Sequence, residues 1–240
     1  MARLPRLAID HQLHHLVHRA APGTAVCLVD EDRLDLIGAL LEVSRDAGVA
    51  IHAYALLPDR LHLLLTPRRG AELASLMQRV GRRFVVSFNK RHGRSGSPWA
   101  GRYRTGVLQA SRYLLDAMAH VEMAAVGAGL VAAPEQWVAS SAAHHLGRRH
   151  DPLITDHPLF WSLGNTPFER ESRYRQRLLD PAASALAAAG EIERATEQGW
   201  AIGDADFLEM LEGRQARRLQ PLTRGRRRKP VDAGYLSDPI

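Results

Sequence analysis

Basic residues gather at two places where they could neutralise phosphate. Arg79, Arg82, Arg83, Lys90, Arg91, Arg94, Arg102 and Arg104 form one cluster, and between Arg214 and Lys229 there are eight basic residues and no acidic one. Neutralised phosphates release counterions, which drives much of the affinity for nucleic acid. The net charge of +6 has the same sign. Trp99, set among Gly, Ser and Arg, is a candidate for stacking on an unpaired base, although a tryptophan more often packs. Histidine is the other type that could do chemistry. His62 lies in a strand-like run, where a histidine is more often packed or hydrogen-bonded than a metal ligand. The groups His14, His15, His18 and His144, His145 lack the spacing of a strong metal signature and are read as structural.

The elements that must carry these residues follow from periodicity. Residues 14–19 alternate loosely and read as a strand. Residues 30–47 read as a helix, with Leu34, Ile37, Leu41 and Leu40 at helical spacing, Asp30 or Asp32 as cap and Gly48 as stop. Residues 49–57 are a strand placing Ile51, Ala53, Ala55 and Leu57 on one face and His52, Tyr54 and Leu56 on the other. Pro58 and Asp59 turn it into a second strand, 61–66, giving a hairpin. Residues 72–90 form the clearest helix, with an apolar stripe of Leu73, Leu76, Met77, Val80, Phe84 and Phe88. A fourth strand, 104–110, leads through Ser111 into a helix to about residue 125, with Leu114, Met118 and Val121 inward. Beyond it, 134–146, 167–179 and 182–198 read as helices. The order β-α-β-β-α-β-α predicts a ferredoxin-like α+β fold, an antiparallel sheet covered by helices on one face. The expected domains are 1–130 for this fold, 131–218 for a helical extension and 219–240 for a disordered basic tail.

Composition excludes some classes. No run of about 18 apolar residues could span a membrane. The arginines near Met1 precede no apolar stretch, so no signal peptide is expected. Cys27 is the only cysteine, which rules out an internal disulfide and suits a reducing, bacterial-type cytoplasm, with nucleoid association following from the charge.

Several segments resemble the REP-associated tyrosine transposases, within the single-tyrosine HUH transposases of insertion sequences. Met1-Ala-Arg-Leu-Pro-Arg-Leu is similar to that family's opening. Val49-Ala-Ile-His-Ala-Tyr-Ala-Leu-Leu-Pro-Asp-Arg-Leu-His-Leu-Leu-Leu is similar to its second and third strands. Gly81-Arg-Arg-Phe and Phe88-Asn-Lys-Arg-His-Gly-Arg-Ser-Gly resemble its middle helix and loop, and Trp99-Ala-Gly-Arg-Tyr-Arg its Trp-x-Gly-Arg-aromatic-basic signature. Ser111-Arg-Tyr-Leu-Leu and Ala128-Gly-Leu-Val bracket its catalytic helix. The likeness covers residues 1 to about 160 and, more loosely, 199–229.

The resemblance implies cleavage of single-stranded DNA by a tyrosine, with Mg²⁺ or Mn²⁺ polarising the phosphate. Two histidines two apart on a strand and a third ligand four residues after the tyrosine would share one ion. Those positions fall here at Arg60, His62, His120 (the tyrosine's place) and Ala124. Arg60 cannot ligate a metal, Ala124 offers no donor, and only His62 keeps a family ligand. Ala125 and Gly127 replace the family's Pro and Arg. Tyr113 lies two turns before His120, about 10 Å along the axis, too far to attack the same phosphate. His120 could attack phosphorus itself only with a partner to activate it, and Arg60 could contact a phosphate directly.

The expectation is therefore a transposase-family protein that binds single-stranded or hairpin DNA without cutting it, as a monomer or homodimer, away from membranes and with no cofactor. Its DNA contacts would be Arg60, Arg79, Arg82, Arg83, Lys90, Arg91, Arg94, Trp99, Arg102 and Arg104. An active metal-dependent nicking and joining transposase is one alternative. A ferredoxin-like RNA- or protein-binding module is the other.

Overall fold

In the computed structural model, residues 5–179, 183–213 and 217–221 are described. The core elements are β1 (Leu13–Arg19), α1 (Asp30–Ala47), β2 (Val49–Leu57), β3 (Arg60–Pro67), α2 (Gly70–His92), β4 (Arg104–Leu108) and α3 (Ala110–Glu122). Short helices α4 (Ala124–Gly127), α5 (Ala142–His145) and α6 (Pro158–Trp161) follow, then α7 (Pro167–Leu179), α8 (Ala183–Gln198), β5 (Ala201–Ile202) and α9 (Ala205–Glu212). The strands order as β2-β3-β1-β4-β5. The first four pair antiparallel, the ferredoxin-like arrangement expected from the βαββαβ order, and β5 adds a parallel strand.

Both faces of the sheet are covered, where helices on one face were expected. α1 and α2 cover one, packing Leu36, Leu40, Val43, Leu76, Val80 and Phe84 over Leu16, Leu63 and Leu65. α3, α7 and α8 cover the other, with Met118, Val121, Tyr174 and Ile192 over Leu13, Ala55, Leu64 and Leu108. A sheet apolar on both faces has no other way to remove them from water.

The α2 stripe is buried as predicted. The α1 stripe is rotated: Leu34 is 70% exposed, and Leu36, Leu40, Val43 and Ala47 face inward. These residues too are at helical spacing, so the choice between two overlapping stripes falls to packing. A bulge in β2 sets Ile51 against Leu65 and Ala53 against Leu64. Two residues then oppose one, and Ile51 joins Tyr54 and Leu56 rather than Ala53.

The helix expected over 134–146 is replaced by a single 3₁₀ turn, Pro134–Gln136, and the four residues of α5. The backbone between them, a turn at Val138–Ala139 and a single bridge at Ser140, lies along the free side of β2. The Leu56 amide donates to Ala139 and the Ser141 amide to Tyr54, with further bridges at Ala55–Ser140 and Ile51–Ile154. On the opposite side the Val107 and Gln109 amides donate to Trp200 and Ile202. Of the basic run at 214–229, Arg217 and Arg218 sit over Trp200. Leu219, assigned to the tail by sequence, is buried beside Leu7 and Phe207. Arg214 of that run and residues 222–240 of the expected tail lie outside the described residues.

Gly106 governs how closely α8 approaches. It pairs with His15 across β1 and β4, and a Cβ there would meet the Ala195 and Thr196 backbone at 2.9 Å. Gly106→Ala is expected to cost about 1–3 kcal/mol by overpacking, read as a lower denaturant midpoint at unchanged slope. An unchanged midpoint would mean that α8 yields freely.

Candidate functional site

Strand parity and helix periodicity bring the singled-out chemical residues together. Arg60 and His62 alternate on β3 and share the face under α3. His120, near the end of α3, and Ala124, at the start of α4, overlook the same space. All four line a cavity of about 470 Å³ whose other walls include Arg177 of α7 and Glu193 of α8. No tyrosine is among the described residues lining it. Tyr113 is buried and donates its hydroxyl to Glu191 at 2.7 Å, and burial with that carboxylate pushes it up to about 12.

His15, read from sequence as structural, belongs to this group. Its Nε2 lies 3.2 Å from His62 Nδ1 and the two rings stack. The His120 ring stands edge-on to both, centroids 5.5 and 6.0 Å away. Thr196 of α8 holds His15 Nδ1 at 2.8 Å, and a Glu193 carboxylate oxygen lies 3.7 Å from His120 Nε2. Burial, then the neighbouring His120, Arg60 and Arg19, push His62 down to about 3. Burial followed by its two histidine neighbours holds His15 well below its usual value, and burial lowers His120 against the pull of Glu193. Burial thus favours the neutral form of all three imidazoles, in which each ring keeps one nitrogen with a lone pair.

The ligand positions implied by the resemblance do not fit Mg²⁺ or Mn²⁺. Of the three, only His62 brings a donor: Arg60 brings a fixed cation, paired to Asp59 at 2.6 Å, and Ala124 brings none.

The predicted DNA-contacting residues divide into two sets. Arg79 pairs with Asp46 at 2.8 Å, Arg83 with Glu42, and Arg91 with Asp32 and Asp35 at 2.5 Å, so these three tie α2 to α1. Arg82, Lys90, Arg94, Arg102 and Arg104 are exposed and form no ion pair among the described residues. Register places Arg19 opposite Arg60, and Val17 opposite both His62 and Arg104. Arg19, Arg60 and Arg104 thus project on the histidine face; Arg60 lines the cavity, and Arg19 pairs with Glu197. Trp99 is 7% exposed, stacks on His18 at 4.1 Å and packs near Phe84. Packing, not base stacking, is what its surroundings show.

A second cluster went unread in the sequence. Glu122 is fully buried and accepts from His145 Nδ1 at 2.6 Å, Ser141 and the Tyr174 hydroxyl at 2.7 Å. Asp156 faces His144 at 3.2 Å and His145 at 3.6 Å. Burial alone would lower His145, but the Glu122 and Asp156 carboxylates outweigh it and raise it to about 9. The imidazoles of His144 and His145 hold Asp156 well below the usual carboxylate range.

No family model and no curated protein sequence matches the chain. Among solved structures it is similar to a REP-associated tyrosine transposase bound to a REP hairpin. That likeness has a TM-score of 0.53 and 18% identity over 65% of this chain and 92% of that one, and at this identity it speaks to the fold. A protein from Deinococcus radiodurans described as a candidate transposase aligns at 25% identity over 48% of this chain and 92% of its own. Its TM-score of 0.35 is too loose to inform the site.

Proposed function

We propose that the chain is a DNA-binding protein of the REP-associated tyrosine transposase type that recognises single-stranded or hairpin DNA without cutting it. The observation that carries this reading is one cavity lined by all four positions that the resemblance assigns to chemistry, three of them replaced by Arg60, His120 and Ala124. The structural neighbour was captured on a hairpin, and the same type of substrate suits the cations here. Arg60 lines the cavity, Arg19, paired with Glu197, and Arg104 lie on the same sheet face, and Lys90 near the end of α2, with Arg94 and Arg102 in the loop that follows, adds exposed cations. Among the described residues no helix is long and apolar enough to cross a membrane. The reading places the protein in the cytoplasm, on the nucleoid.

The test is fluorescence anisotropy with hairpin-containing single-stranded DNA over a salt series. Affinity should fall linearly in a log–log plot, and each lost phosphate contact on a single strand should flatten the slope by about 0.7. The variant Lys90→Ala/Arg94→Ala/Arg102→Ala should weaken binding across sequences and flatten the slope by about 2. An unchanged slope would move the interface elsewhere, and equal affinity for the matching RNA hairpin would favour an RNA-binding module instead.

A further inference from the structure

His15 is oriented in a way that a merely packed histidine would not require. The Thr196 hydroxyl donates its only hydrogen to the Ile192 carbonyl at 2.8 Å. Towards His15 it can therefore only accept, so His15 carries its proton on Nδ1 and presents a lone pair at Nε2. That lone pair accepts from His62 Nδ1 at 3.2 Å, and a cation held between the two nitrogens would take the place of the shared proton. The third imidazole, His120, has a buried Nε2 with no hydrogen-bond partner. One nitrogen from each ring lies within 4.8 Å of the other two.

These distances suit a small cation. Zinc–imidazole bonds of about 2.0–2.1 Å in tetrahedral geometry separate ligand nitrogens by about 3.3 Å. The His15–His62 pair already stands at that spacing, and His120 has at most about 1.5 Å to close by side-chain rotation. A ligating histidine normally donates its other N–H to a nearby acceptor that fixes tautomer and ring plane, as His15 does to Thr196. Three neutral imidazoles select a borderline transition metal over Mg²⁺ or Ca²⁺.

We propose that His15, His62 and His120 form a three-imidazole site for one borderline divalent transition-metal ion such as Zn²⁺, with its fourth position beside Glu193 and facing the cavity. The donor set is not the one implied by the transposase resemblance, which puts ligands at residues 60, 62 and 124 and none at 15 or 120. It does not rest on the DNA-binding reading either.

The experiment is a metal titration of the untagged full chain, stripped by chelator and free of nucleic acid. Co²⁺ is followed by its visible tetrahedral absorption, Zn²⁺ by competition and elemental analysis. One equivalent of Zn²⁺ should bind, undisplaced by a large excess of Mg²⁺. His120→Ala, at the cavity wall, should stay folded by circular dichroism and lose stoichiometric binding, as should His15→Ala and His62→Ala where they fold. Thr196→Val should weaken binding about 10- to 100-fold by removing the acceptor that orients His15. His144→Ala, in the other histidine cluster, should leave binding unchanged. The proposal is overturned if the parent chain takes up no stoichiometric Zn²⁺, if folded His120→Ala binds as tightly as the parent, or if His144→Ala abolishes the site.

Discussion

Mixed with hairpin-containing single-stranded DNA and Mg²⁺ or Mn²⁺, the chain is expected to form no covalent protein–DNA adduct. The position that would supply the nucleophile holds His120, an imidazole crowded by His15 and His62, and of the ligand positions that the resemblance implies, Arg60 and Ala124 offer no metal donor. Combining Arg60→His, His120→Tyr and Ala124→Asn should restore measurable adduct where each single change does little. Parts that act as one unit are strongly non-additive. The geometry favours the combination, because all three positions already line one cavity. Glu193 works against it, as a carboxylate beside the incoming phosphate. A metal-dependent adduct in the unmodified chain, abolished by His120→Ala, would falsify the non-cutting reading and make His120 the nucleophile.

Glu122→Ala should produce the largest loss of stability, about 3–5 kcal/mol, the usual range for removing one partner of a buried ion pair. The substitution leaves the His145 cation without its nearest carboxylate and strips an acceptor from Tyr174 and Ser141. Linkage gives a second readout. His145 is raised from 6.5 to about 9, so its contribution is complete below pH 6.5 and is lost as pH rises through 9. Denaturant midpoints of the parent should fall over that window, and in Glu122→Ala they should fall less. On the acid side the sign reverses. Burial holds His14 and His52 near 4, so their contribution is complete above 6.5 and is lost as pH falls towards 4. Stability should therefore peak near neutrality. A flat profile from pH 6.5 to 9 would mean that His145 is not ionised in the folded chain.

What the sequence reveals and what it hides divides along contact range. The α2 stripe and the shared face of Arg60 and His62 depend on local periods of 3.6 and 2, and both were readable. His15 was not, because the partner that orients it, Thr196, lies 181 residues away. The one available hint was a pair of histidines beside Leu13, Leu16 and Val17 in β1, which local spacing cannot tell from structural packing. Trp99 looked like a stacking residue because its neighbours are loop-like, yet His18 and Phe84 come to it from other elements. The 134–146 segment has helical composition, but unpaired amides on β2 offered its backbone a better set of partners. Glu122 lies two residues after His120 in the helix those segments bracket, and nothing nearby in sequence announced Ser141, His145 or Tyr174.

The contacts of residues 139–141 and 154–155 with β2 and the two residues of β5 with β4 have a consequence for self-association. An outermost strand with open amides is a template for a second chain, the usual first step towards domain swapping or amyloid-like stacking. Here Leu56, Tyr54 and Ile51 on one margin, and Val107 and Gln109 on the other, already have their outward hydrogen bonds satisfied from within the same molecule. Two copies could not simply zip together strand to strand. They would first have to peel away these covers.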